Sequence, residues 1–254
     1  MTANCAWQSL IARLHQLNKF RLHTGNINNY MELKIKRFKN SAEELITCLD
    51  LQFPLLKADL AVSEQGMVLL SDREDATTYE RNDLKITLKV FLQEFDISHI
   101  ENAIEATIAQ LETDNIEQLI IAFPRPENED DDTEVDKEWL VQVLNIWSEL
   151  EKIVASGKVT SLGVADFNLV QLRALCQEAN MKPCIDHFNI EGCCVVPPEL
   201  QAYAKDQEIQ LLTHNDPHPF PLADVFKTFC TLNASAPVCS RTFEPIWAAR
   251  YANF

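Results

Sequence analysis

A chain of 254 residues that is 46% hydrophobic can bury one large core, and α/β barrels of about 250 residues form single domains. Its net charge of −16 argues against nucleic acid or anionic membrane as a partner, since phosphate binding relies on basic clusters. Five glycines, none arranged as GxGxxG or GxxxxGKS, leave no phosphate-cradling loop and argue against ATP chemistry on this chain.

The eight cysteines, Cys5, Cys48, Cys176, Cys184, Cys193, Cys194, Cys230 and Cys239, form no CxxC pair and have no histidine at zinc spacing. With no signal peptide recognisable and no apolar run near the roughly 18 residues of a membrane span, the expectation is a soluble cytoplasmic protein with reduced thiols and no bound metal. The cluster Lys34, Lys36, Arg37 and Lys39 reads as a solvated face.

In chain order, Trp7, Leu10, Ile11, Leu14, Leu17 and Phe20 recur at helical spacing and predict an N-terminal helical segment within residues 1–40. Ser41 with Glu44 has the form of a capping box opening a second helix, which Pro54 stops. Residues 68–70 are a candidate strand, and SDREDATTYERND reads as an exposed loop. From Leu84 to Leu92 apolar residues alternate, as in a strand. Ser98 with Glu101 forms a second capping box ahead of Ile100, Ala103, Ile104, Ile108 and Leu111, and IEQLIIAFP is a buried strand closed by Pro124.

Residues 126–136, PENEDDDTEVD, place seven acids in eleven positions. They follow a strand end, where α/β folds assemble sites, but the block lacks the spacing of a calcium loop and reads as a solvated insert. A long helix carrying Trp139, Val143, Trp147 and Leu150 follows, with Gly157 at its C-cap. Strand VTSLGVA comes next, then a helix opened by Asn168 with Gln171, strand CIDHFNI, a helix opened by Pro198, strand IQLLT, a helix over 221–232 and a tail, 236–254, containing Trp247 and Tyr251. Strands joined by regular helical crossovers are parallel. The expected fold is a (β/α)8 TIM barrel in one domain spanning 1–254, with irregular first and last units.

SLGVADFNLVQL resembles the SxGVSNFN segment of the aldo-keto reductases, MKPCIDHFNI falls where that family writes Pro-x-x-Asn-Gln, ITLKVFL resembles the strand of its catalytic lysine, and LIIAFPRP resembles its LIHWP strand. The resemblance covers about residues 84–217 and implies the reductase barrel. It also implies a mechanism that pairs NADPH with a tyrosine tuned by lysine, histidine and aspartate, and here most of those groups are missing. Lys89 stands at the lysine position, Ala122 replaces the histidine, and no Asp-x-Ala-x-x-Tyr stretch precedes Lys89; Tyr79 lies in a charged loop. The nicotinamide contacts read Ala165, Asp166, His187 and His214. The resemblance therefore implies NADPH binding that is weak if present, no cofactor of its own, and no catalytic residue.

LHTGNINNY, KVTSLGVADFNLVQL, CCVVPPELQAYAKDQEIQLLTHNDP and PIWAARY resemble the modifier (regulatory) subunits of glutamate-cysteine ligase. That resemblance implies a non-catalytic barrel that forms a heterodimer with the catalytic subunit of the ligase, improves its use of glutamate and weakens its feedback inhibition by glutathione. The alternative is an NADPH-dependent reductase. The candidates for the partner face or a redox contact are Cys193, Cys194, Pro197, Pro198, His214, Asn215 and Asp216, together with the helix at 139–154. Cys193 and Cys194 read equally as an exposed disulfide-forming pair or as small buried residues; His214 and Asp216 also fit an ordinary turn before Pro217, and His187 a hydrogen-bonded core histidine.

Overall fold

The computed structural model describes residues 3–55, 62, 66–70, 80–81, 84–126, 134–191, 195–227 and 243–253. It divides into two compact units, residues 1–78 with 221–245, and 79–220 with 246–254.

In the first unit, helix α1 (Ala3–Leu14) leads to strand β1 (Arg21–His23), which pairs in parallel with β2 (Met67–Leu69). Gly66 precedes β2 at φ +75°, and a Cβ there would lie 2.9 Å from the Lys19 carbonyl oxygen, so the turn needs glycine. Helices α2 (Met31–Ile35) and α3 (Ser41–Gln52) gather Tyr30, Leu33 and Cys48 into a small core. The cap of α3 is one residue earlier than the sequence suggested: Asn40 Oδ1 accepts from the Glu43 amide at 2.9 Å, because asparagine caps as well as serine does and already occupies the extended position. The predicted helix at 221–232 is present as α8 (Leu222–Val225), and its continuation past 227 lies outside the described residues.

The second unit holds the main core. Strands β3 (Ile86–Leu92), β4 (Ile116–Ala122), β5 (Val159–Ala165), β6 (Ile185–Asn189) and β7 (Gln210–His214) are parallel neighbours in sequence order. Helices α4 (Ile97–Gln110), α5 (Lys137–Ala155), α6 (Leu169–Glu178) and α7 (Pro198–Asp206) make the crossovers. The C-terminal segment read as a tail contains β8 (Trp247–Asn253), which runs antiparallel along all seven residues of β3. Among the described residues the six-stranded sheet therefore runs β7-β6-β5-β4-β3-β8.

Each central strand shows two buried faces, as parallel strands under crossover helices do. Ile86, Leu88, Val90 and Leu92 of β3 pack with Leu119, Ile121, Leu162 and Val164 and with the helices, each contributing roughly 1.5–3 kcal/mol of burial. The opposite face carries Lys89, Ile120, Ala122, Gly163 and Ala165. A Cβ on Gly163 would meet Ile185 at 3.0 Å, so glycine sets the close approach of β5 to β6.

Local sequence explains the helix ends. Asp136 accepts from the Glu138 and Trp139 amides to start α5, and Gly157 at φ +81° follows its end, as expected. Asn168 and Gln171 form the expected capping box of α6, and Pro198 occupies the first turn of α7. For α4 the cap is Asp96, whose Oδ1 accepts from Ser98 at 2.8 Å, rather than Ser98 itself; the aspartate two residues earlier reaches the free amide first. Trp139 and Trp147 are core residues, each donating its indole N–H to a carbonyl, of Pro124 and Met181, at 2.7 Å.

Candidate functional site

The parallel strands place their C-terminal ends together, and the side chains singled out there form one connected network. Alternation along β3 turns Lys89 away from the helices, and its Nζ sits 2.9 Å from Asp216 Oδ2 and 4.8 Å from the ring centre of Phe91, itself stacked on Phe220 at 4.1 Å. Burial holds the Lys89 pKa below its usual value, with Asp216 opposing the shift.

Beyond β5 the chain turns at Asp166, which has φ +65° and donates its amide to the His187 carbonyl at 3.1 Å. Aspartate tolerates this left-handed conformation better than most residues. Its carboxylate lies between two imidazoles, 3.1 Å from His214 Nε2 and 3.2 Å from His218 Nδ1. Burial would raise its pKa, yet the two histidines hold it far below the usual carboxylate range.

His214 ends β7. The Asp216 amide donates to its Nδ1 at 3.0 Å, which places the ring proton on Nε2, and Nε2 then donates to the His187 carbonyl at 2.9 Å. Burial depresses its pKa but Asp166 and Asp216 outweigh that, so the net shift is upward. A second proton on Nδ1 would abandon the Asp216 amide for Asp216 Oδ2, 3.3 Å away. His187 lies beside this ring, with centroids 4.3 Å apart. Burial, then the charges of Lys89 and His214, push its pKa down to about 3. Its half-buried ring reaches the Thr213 carbonyl through Nε2 at 3.3 Å.

Two further residues belong here that the sequence reading did not single out as site positions. His218 Nε2 donates to the Phe123 carbonyl at 3.1 Å, closing the ring of contacts from β7 back to β4. Its signal was the period-two run His214, Asp216, His218, which puts three polar side chains on one side of an extended segment. Asp186, the aspartate of MKPCIDHFNI, faces the apolar layer on the same side of β6 as Phe188. It is fully buried near the Phe167 amide without a formed hydrogen bond. Burial and then the Asp166 charge push its pKa well up, which favours the protonated carboxyl.

Ala122 and Ala165 are buried at the ends of β4 and β5 and bring no polar group to the network. His214 and Asp216 turn inward, while Asn215 between them is exposed, as are Pro197 and Pro198. Cys193, Cys194 and residues 127–133 of the acidic insert lie outside the described residues, as does Tyr79. Beside the network a cavity of about 170 Å³ opens between Phe123, Pro124, Asp136, Trp139, Asp166 and His218. The network can hold five strand ends in register; Lys89 and the Asp166 carboxylate are both committed to internal partners.

No helix among the described residues is long and apolar enough to cross a membrane. Residues 69–215 match the profile of the aldo/keto reductase family. The chain is 32% identical over 261 residues to the human "Glutamate--cysteine ligase regulatory subunit", spanning 99% of this chain and 91% of that protein. It is 31% identical to the rat protein of that name, spanning 96% of this chain and 88% of the other. Among solved structures, an aldo/keto reductase from Brucella melitensis superposes with a TM-score of 0.44 at 17% identity, covering 61% of this chain and 57% of that one. The α/β fold of reductase type expected from the sequence is borne out, its irregular ends being a separate strand pair and an antiparallel last strand. The chain belongs to the aldo/keto reductase family and, within it, groups with the glutamate–cysteine ligase regulatory subunits.

Proposed function

We propose that this chain is a non-catalytic regulatory subunit that forms a heterodimer with the glutamate–cysteine ligase catalytic subunit, improves its use of glutamate and weakens its inhibition by glutathione. The observation that carries the reading is its kinship, along nearly the whole chain, with regulatory subunits of that ligase. The site supports it. Lys89 is pinned by Asp216, and Ala122 stands where a reductase keeps its histidine. Asp166, at a nicotinamide-contact position, spends its carboxylate on His214 and His218.

Regulation then requires only that the chain bind one state of the catalytic subunit better than another. Val195, Pro197, Pro198 and Asn215 are exposed on the loops after β6 and β7 and are the described residues we assign to the partner face; Cys193 and Cys194 adjoin them in sequence.

The test mixes the purified chain with the catalytic subunit and measures complex formation, the glutamate dependence of ligation and its inhibition by glutathione, with an NADPH titration in parallel. A complex with a lowered glutamate requirement is expected. Absence of both complex and kinetic change overturns the reading, and NADPH-dependent turnover of an aldehyde replaces it with a reductase.

A further inference from the structure

A second cluster of ionisable groups lies apart from the network, where β3 passes into α4. His99, in the first turn of α4, is buried to 1% exposure, and neither ring nitrogen forms a hydrogen bond. A buried imidazole left in this way is costly. Its Nε2 points at two carboxylates, 3.5 Å from Asp96 Oδ2 and 3.6 Å from Glu94 Oε1, and one ligand atom from each of the three residues lies within 4.8 Å of the others.

These separations exceed the 2.7–3.2 Å of a hydrogen bond. They do fit the edge of a tetrahedral zinc shell, which comes to about 3.3–3.6 Å for Zn–N and Zn–O bonds of roughly 2.0–2.2 Å. The supporting geometry is also present. Asp96 Oδ1 caps the helix through the Ser98 amide, which fixes the carboxylate and leaves Oδ2 toward His99. Glu94 lies on the exposed side of the group and gives an ion its entry path. The positive end of the α4 dipole opposes a cation, but two carboxylates supply the full compensating charge for a divalent one.

We propose that Glu94, Asp96 and His99 form a binding site for one divalent transition-metal ion of zinc type, with imidazole and two carboxylates as ligands and the remaining position left to water or a group from outside the chain. A mixed nitrogen and oxygen donor set favours zinc-like ions over calcium or magnesium, which take oxygen alone. Binding ties the end of β3 to the start of α4.

The test titrates the full chain with Co²⁺ and follows its d–d absorption, which is free of the intense thiolate charge-transfer band that a cysteine site would add; Zn²⁺ then displaces the Co²⁺. Glu94→Gln, Asp96→Asn, which preserves the cap, and Glu101→Gln, a charge control one turn on, are compared with wild type. The expected result is one Co²⁺ per chain, weakened at least about 10-fold in the first two variants and unchanged in the third, since even outer-shell changes cost that much. His99→Asn should abolish the signal, with the two carboxylate variants keeping the test valid if it does not fold. No Co²⁺ band, a thiolate band, or less than 10-fold weakening in both carboxylate variants overturns the site.

Discussion

Lys89 on β3 and Asp216 beyond β7 meet at 2.9 Å across 127 positions of sequence, each with a side chain less than a tenth exposed. Lys89, which the sequence resemblance aligns with a reductase lysine, is half of a buried ion pair. Lys89→Met leaves Asp216 charged and buried and should cost about 3–5 kcal/mol in chemical denaturation. Adding Asp216→Asn should recover part of that loss, so the double variant is more stable than the sum of the single changes. Simple additivity would show that the two side chains do not act as a pair.

Asp186 predicts the opposite sign. Its folded pKa lies above its unfolded value, so below about pH 4 both states are protonated, and as pH rises the unfolded state alone releases the proton and gains. Asp186→Asn removes that cost while preserving shape. Thermal melts should show the variant more stable than wild type at pH 7, by a few degrees, with the difference shrinking toward pH 4. An equal or lower melting temperature at pH 7 contradicts the buried-proton assignment.

His187 titrates near 3 in the fold and near 6.5 when unfolded. Above about pH 6.5 it is neutral in both states. As pH falls from there toward 3, only the unfolded chain takes up the proton, so wild type loses stability through that window. His187→Gln should flatten this slope in urea midpoints measured from about pH 7 to pH 4. An unchanged slope means that His187 already binds its proton in the fold.

Gly163→Ala forces a methyl group to within 3.0 Å of Ile185 where β5 and β6 pair. Overpacking of this kind costs about 1–3 kcal/mol. A variant with an unchanged unfolding midpoint would mean that β6 shifts freely, and with it the His187 carbonyl that receives both Asp166 and His214.

The repeating part of the fold was legible because parallel strands bury both faces and their crossover helices carry caps: β3 to β7, the capping box of α6 and Pro198 of α7 all stand where local sequence puts them. Strand β8 was not, since WAARYAN is mostly alanine and polar residues, and becomes a strand only because β3 offers it an edge. In the site, Lys89, Asp166, His187 and His214 were marked individually, through a resemblance to a working enzyme. Their mutual contacts were hidden, because pairing of Lys89 with Asp216, or of Asp166 with His218, depends on strand order rather than on any neighbouring residue. The run at 214–218 looked like a turn since Pro217 dominates its local signal. The cluster at 94–99 was masked by the capping pattern that Ser98 and Glu101 suggested.

The antiparallel pairing of β8 with β3 also decides how the molecule behaves in concentrated solution. Without residues 247–253 the seven residues of β3, six of them buried, would form an open sheet edge with its row of amides and carbonyls unmatched. An apolar edge of that length templates self-association. The same peptide sets Arg250 opposite Lys89, where its charge helps to lower the lysine pKa, so proteolytic clipping there should appear as aggregation and as a disturbed Lys89.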